Sequence, residues 1–313
     1  MLGHVDTYLW DLSAHDDGAG NLLIAWQYDR NHIQSLNLLR LDRVGEVHHH
    51  VVKEFKRYDP FFSLRTVVVD PNYVQFFYTN YSERYFSPVS DTGSIEKLWT
   101  LGWREGRVVF DTQLSESGRV HTTQYDVSPE KHGEFAIVWT ERSIGSLFGP
   151  RPKLKVGTVT THADKPLLTS SAEISIDSKD RIYPLAVSNG KGGVKAVAVK
   201  YAGTKGAAFR EVLSNGKVSD EVSIAGGEIS YLVYDPQTAL FRYVKGSIEG
   251  FLRPPPSIKA EVHWTDFHGR QWIERLVART GSIFPAQGAG DCYYWLQPEA
   301  DTFLLLKRCR VPG

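Results

Sequence analysis

The sequence predicts an all-β protein, a β-propeller of six blades with four antiparallel strands each; five and seven blades are the alternatives. Two observations predict it. A phrase recurs along the whole chain: a β-prone run reaching an Asp, a short gap, then a run rich in aromatic and β-branched residues. Its copies are Leu12–Trp26 (Asp16), Thr66–Tyr78 (Asp70), Thr122–Trp139 (Asp126), Ile174–Val187 (Asp177), Tyr231–Tyr243 (Asp235) and a weaker Gly290–Leu296 (Asp291). A period of about 40 to 60 residues with about four strands per unit marks a propeller. The second observation is that helical periodicity is nearly absent, while Pro and Gly fall between the apolar runs. The repeats run end to end without a linker, so residues 1–313 are read as a single domain.

The repeats parse strand by strand. In the first, the third strand is Ser35–Leu41, the turn Asp42–Gly45 and the fourth strand Glu46–Lys53. In the second, the strands are Leu64–Val69, Tyr73–Thr79, Glu96–Trp103 and Arg107–Gln113, and Arg104-Glu105-Gly106 supplies a tight hairpin turn. The fifth gives Ile229–Tyr234, Leu240–Val244, Lys259–Thr265 and Gln271–Val277, with Asp266-Phe267-His268-Gly269 at its last turn. The sixth has about three strands before Gly313, and the N-terminal residues could complete it. The only two cysteines, Cys292 and Cys309, fall on two strands of this last repeat. A two-residue turn at Ala300-Asp301 would set them opposite each other; a cross-strand disulfide and two buried free thiols are both open. No paired Cys/His spacing points to zinc.

Formal net charge is zero, so bulk electrostatics predicts neither a nucleic-acid nor a membrane partner. No apolar run approaches the roughly 18 residues of a membrane span. The start Met1-Leu2-Gly3-His4-Val5-Asp6 lacks the basic and apolar regions of a signal peptide. An extracellular or periplasmic home stays open if a leader was removed.

In a propeller the connections between second and third strands, and those between repeats, share one end. Here these are the long ones, and long connections on a rigid frame concentrate function. They carry Arg30 and His32, then Tyr81, Arg84 and Tyr85, then Arg142, and later Arg253. Aromatic faces stack on sugar rings and Arg forks hold carboxylates. Between repeats come Asp6, Asp59, Arg65, His121, Glu173 and Glu228. Crowded carboxylates there could do acid–base work or hold a structural calcium ion in the central channel; no other cofactor is expected. His48 and His50 point to one face of their strand and His49 to the other. Without a third ligand they read as a solvated edge.

The segment Tyr58-Asp59-Pro60-Phe61-Phe62, with Val69-Asp70 and Tyr73–Tyr78, resembles the second blade of furanosidase-type propeller glycoside hydrolases, the group that includes arabinanases and xylosidases. The resemblance implies Asp6 as general base or nucleophile and Asp59 as the residue tuning the acid. Asp6 is followed by Thr7 rather than Pro. Where that family carries its acid in Glu-Gly-Pro, Arg119-Val120-His121-Thr122 stands, which leaves His121 or Glu173 as proton donor. Thr265–Trp272 is similar to the Asp-box turn of sialidase-like propellers.

The reading is a glycoside hydrolase acting on an oligo- or polysaccharide at one central site. A polysaccharide lyase using His121 or Tyr85, with Arg84 or Arg142 on a uronate carboxylate, is the first alternative. A lectin or a protein-interaction propeller without catalysis is the second.

Overall fold

The computed structural model describes residues 8–17, 19–30, 33–55, 61–85, 93–115, 120–122, 124–129, 134–143, 153–162, 165–175, 182–188, 193–201, 205–213, 215–227, 229–235, 238–245, 258–278, 283–285, 292–299 and 302–309. They form six antiparallel sheets that follow one another along the chain.

Sheet one is β1 (Tyr8–Asp16), β2 (Leu22–Arg30), β3 (Ile33–Leu41) and β4 (Val47–Phe55). Sheet two is β5 (Phe61–Asp70), β6 (Tyr73–Tyr85), β7 (Gly93–Arg104) and β8 (Arg107–Gln113). Sheet three holds β9 (Val120–His121), β10 (Tyr125–Pro129), β11 (Glu134–Ser143), β12 (Lys153–His162) and β13 (Lys165–Ser175). Sheet four is β14 (Ile182–Ser188), β15 (Val194–Tyr201), β16 (Ala207–Glu211) and β17 (Val222–Ala225). Sheet five is β18 (Ser230–Asp235), β19 (Leu240–Lys245), β20 (Ile258–Thr265) and β21 (Gln271–Ala278). Sheet six is β22 (Ile283–Pro285), β23 (Cys292–Glu299) and β24 (Thr302–Cys309). Each is an up-and-down meander in strand order, apart from β9, which pairs with β11 off the β10-β11-β12-β13 path; the all-β architecture is consistent with a propeller. No helix among the described residues is long and apolar enough to cross a membrane.

The chain divides into two compact units. One holds residues 1–179 and 188–194, the other residues 180–187 and 195–313. In the first, sheet two is packed on both faces, and strand alternation decides which residue goes where. Phe76 and Tyr78 join Leu23, Leu36, Leu38 and Phe55 of sheet one. Phe77, between them in sequence, joins Phe135, Ile137 and Trp139 of sheet three. In the second unit, Val187, Ala198 and Phe209 of sheet four pack on Phe241 and Tyr243 of sheet five. Sheets buried on two sides need runs without polar alternation, which is why the aromatic phrases read as nearly continuous apolar strands.

The tight turns follow their chemistry. Glu105 and Gly106 have φ of 49° and 84° and connect Arg104 to its partner Arg107, a two-residue loop with both residues left-handed. Asp42 accepts the amides of Val44 and Glu46 at 3.0 and 2.8 Å. Asp266 does the same for His268 and Arg270, both at 2.9 Å. The turn similar to an Asp-box and the turn of the first repeat are therefore closed by one device.

Two repeats differ from the sequence parse. Asp16, Asp70 and Asp235 end their strands, each beside the following strand's start. Asp126 instead lies near the start of β10, opposite Val138. Ile174 belongs to the last strand of sheet three, not to the opening strand of the next repeat, because β13 stays paired with β12 as far as Ser175. Asp177 and Asp291 lie outside the described residues.

Candidate functional site

The long connections of the sequence reading are partly strands. β6 and β7 remain paired to Tyr85↔Gly93, so Tyr81, Arg84 and Tyr85 stand on a projecting ribbon, opposite Glu96, Ser94 and Gly93. Arg30 ends β2, paired with Ile33, which leaves only residues 31 and 32 to connect. Arg142 sits within β11. Tyr, Phe, Thr and Arg hold extended backbone well, and an unpaired edge beyond the core gains from continuing its ladder. Asp6, His32, Asp59, Glu228 and Arg253 lie outside the described residues.

One short strand stitches sheets two and three together at this end. Thr122, immediately after β9, donates its amide to the Glu96 carbonyl of β7 at 2.8 Å. β9 itself pairs with β11, placing His121 in register with Arg142. Arg142 is exposed and Thr122 is fully buried. The segment that carries His121 is thus held from both sides by backbone pairing.

Several charges near this junction are paired. Arg65, an exposed residue of β5, reaches the buried Asp126 of β10, with Nε 3.4 Å from Oδ1. Glu173 lies on β13 in register with Lys155 and takes Lys153 Nζ at 2.7 Å and Lys155 Nζ at 3.1 Å. Hydrogen bonds from Lys153, then Lys155, hold its carboxyl below the usual range. A carboxylate held ionised in this way is suited to charge balance rather than to proton donation. Lys155 also lies 3.8 Å from Glu141, and Glu141 accepts the Trp139 indole N–H at 2.8 Å.

At the opposite end, the tight turns of sheets one and two enclose a groove of about 590 Å³. Asn21, Arg40, Asp42, His48 and His50 line one wall; Asn72, Trp103 and Glu105 line the other. His50 packs on the Trp103 ring with centroids 5.1 Å apart, while His49 stacks on Trp26 from the other face of the strand. The alternation read from the His triplet holds. Arg40 presents its guanidinium 3.5 Å from Asp17 Oδ2, and its buried Nε meets no acceptor among the described residues. Amides, carboxylates, a guanidinium and an indole edge suit a polar, ring-shaped ligand.

At the mouth of that groove Asp42, Glu46 and His48 could offer a metal three ligand atoms within 4.8 Å of one another. His48 Nε2 is 4.0 Å from Asp42 Oδ2 and 3.8 Å from Glu46 Oε2. The sequence alone shows the histidines without a third ligand. The signal was present as Asp-x-x-x-Glu-x-His around one hairpin turn, but only the turn geometry brings the three together.

No protein-family model matches the chain, and no curated protein matches it. Among solved structures it is similar to a protein of unknown function from Dyadobacter fermentans, with a TM-score of 0.60 and 10% identity over 96% of this chain and 94% of that one. The WD40 domain of SCAP from fission yeast matches with a TM-score of 0.49 and 10% identity over 93% and 72% of the two chains. An alpha-L-arabinanase from Penicillium chrysogenum, complexed with arabinobiose, matches with a TM-score of 0.47 and 9% identity over 82% and 71%. At such identities a likeness concerns the fold alone, and the match to the Dyadobacter protein extends over 96% of this chain.

Proposed function

We propose that this chain is a carbohydrate-active enzyme of a six-bladed propeller, acting on an acidic glycan at the end of sheets two and three. The observation that supports it is the backbone pairing of His121 with Arg142 at the β9–β11 junction, beside the ribbon that carries Tyr81, Arg84 and Tyr85. Register partners on antiparallel strands share one face of their sheet. A histidine in register with an exposed arginine is the residue pair that elimination from a uronate needs.

In that reaction Arg142 pairs with the uronate carboxylate and stabilises the charge that develops on it as the adjacent carbon is deprotonated. His121 takes that proton. The electron pair forms the ring double bond, and the glycosidic oxygen leaves with a proton from a second group. Tyr85 is the candidate donor. Hydrolysis would instead use two carboxylates about 5 to 9.5 Å apart. Because its lysine partners keep Glu173 ionised, that route rests on Asp6 and Asp59 with His121 as acid.

A second reading is favoured by the Trp103 groove: glycan binding without turnover. An aromatic wall beside two amides and two carboxylates is a sugar-binding combination.

A panel of uronate-containing and neutral glycans, assayed for new reducing ends and for the absorbance of an unsaturated uronate, tests all three. Unsaturated product lost in His121→Ala and Arg142→Ala supports elimination. Reducing ends without unsaturation, lost in Asp6→Asn and Asp59→Asn, would replace it with hydrolysis. Binding without product, abolished by Trp103→Ala, would replace both with the binding reading.

A further inference from the structure

We infer that Cys292 and Cys309 form a disulfide across the last hairpin, a covalent modification independent of the glycan reading. They are the only two cysteines in 313 residues. β23 and β24 pair without a register shift from Glu299↔Thr302 to Cys292↔Cys309. The two cysteines are therefore direct cross-strand partners.

The pair type follows from counting. A two-residue loop is closed by a pair that exchanges both backbone hydrogen bonds, here Glu299 and Thr302. Hydrogen-bonded and non-hydrogen-bonded pairs then alternate along the ladder. Cys292 lies seven positions before Glu299, and Cys309 seven after Thr302. An odd count makes the cysteine pair a non-hydrogen-bonded one. Such partners have Cα atoms about 4.5 Å apart. That separation falls within the roughly 4.4 to 6.8 Å that a disulfide spans. A slip of one residue in either strand would have removed the cysteines from register with each other.

The step balances as a thiol–disulfide exchange. One thiolate attacks a small-molecule disulfide such as oxidised glutathione, or the active-site disulfide of an oxidoreductase, and a mixed disulfide forms as one thiolate leaves. The second cysteine thiolate then attacks the protein sulfur of that mixed disulfide and expels the other thiolate. The two cysteines have lost two protons and two electrons; the oxidant has become two thiols. A bond that persists here belongs to an oxidising compartment.

The test is to equilibrate the purified full chain with oxidised glutathione, quench with acid, unfold, alkylate and weigh. The expected result is a monomer two hydrogens lighter than the dithiol, with no alkylated cysteine and a peptide pair linked through Cys292 and Cys309. Reduction should restore two alkylatable thiols. Cys292→Ser should leave Cys309 carrying a stable glutathione adduct, because its resolving thiol is gone. Two free thiols after equilibration, glutathione adducts on both cysteines, or a disulfide-linked dimer would each overturn the inference. The wild-type measurement decides the matter even if the variant fails to fold.

Discussion

The Lys53 ammonium of sheet one lies 3.0 Å from the Tyr78 hydroxyl of sheet two. That hydroxyl donates to Asp111 Oδ1 at 2.5 Å, and Lys53 closes the triangle on Asp111 Oδ2. Lys53 also lies over the Phe55 and Tyr78 rings, which meet edge to face with centroids 5.4 Å apart. Three strands of two sheets therefore share one polar knot inside an aromatic seam. Burial first, and then the Asp111 charge, push the Tyr78 phenol above its ordinary range.

Tyr78→Phe keeps the ring and removes the knot's centre. It should cost about 1 to 3 kcal/mol of unfolding free energy, since the lost bonds involve charged partners. Urea unfolding of the variant and the parent measures it. The raised pKa gives the sign of the pH effect. The folded state keeps the Tyr78 proton more tightly than the unfolded chain does. This contribution is complete below the ordinary phenol pKa of about 10 and fades above it. The stability difference between parent and Tyr78→Phe should therefore narrow in strong alkali.

Asp17 is buried at the first turn of sheet one. It accepts the amides of Ala19 and Asn21 at 2.8 and 3.0 Å and the Asn21 side chain at 2.6 Å. Burial alone would raise its carboxyl pKa, but these bonds and the Arg40 charge outweigh it and hold the group below the usual range. Asp17→Ala strands the donors and should cost about 2 to 4 kcal/mol. Since the folded pKa is depressed, the stabilisation is present above the ordinary carboxylate pKa and is lost as pH falls through the folded one. Acid titration of unfolding free energy should show a steeper loss for the parent than for the variant.

Gly157 marks the point where the register between β12 and β13 shifts. A Cβ there would collide with the Thr169 carbonyl oxygen of the neighbouring strand. Backbone cannot move aside as a flexible side chain can. Gly157→Ala should cost about 1 to 3 kcal/mol by overpacking. By contrast, alanine at Gly226, where nothing lies within 4 Å of the added carbon, should be close to neutral. Thermal melts of the two variants provide the comparison.

For the proposed site, His121→Ala should lower turnover about 10²- to 10⁴-fold, the range for loss of a general base. Glu173→Gln should retain most activity, because the acid is committed to Lys153 and Lys155. Its stability change should stay below about 1 kcal/mol, since the pair is solvent-screened. Steady-state kinetics on the glycan identified by the panel distinguishes the two residues. Equal loss in both would restore Glu173 as a catalytic group.

The strands were the most legible part of the sequence. The parse of the second and fifth repeats agrees with the observed elements to within a residue or two at most boundaries, and β8 agrees at both ends. This follows from turn chemistry: Glu105-Gly106, Asp42 and Asp266 each dictate a hairpin locally. The candidate site was less legible. Tyr81, Arg84 and Arg142 were recognised as a group but read as loop residues, because nothing local says where a ladder stops beyond the core. The Asp42–Glu46–His48 cluster was missed because its members lie on both sides of a turn.

The sequence by itself determined that this is an all-β repeat, where its hairpins turn, and that His48 and His50 share a face opposite His49. These are consequences of backbone preferences and the two-residue period of a strand, which act over a few residues. Tertiary structure decided that Arg65 answers Asp126, that β9 bridges two sheets and sets His121 opposite Arg142, and that Glu173 is bound by lysines. Those pairings depend on which sheet packs beside which, and on register shifts such as the one at Gly157. No short-range rule carries that information, because it is fixed only when the neighbouring strand is in place.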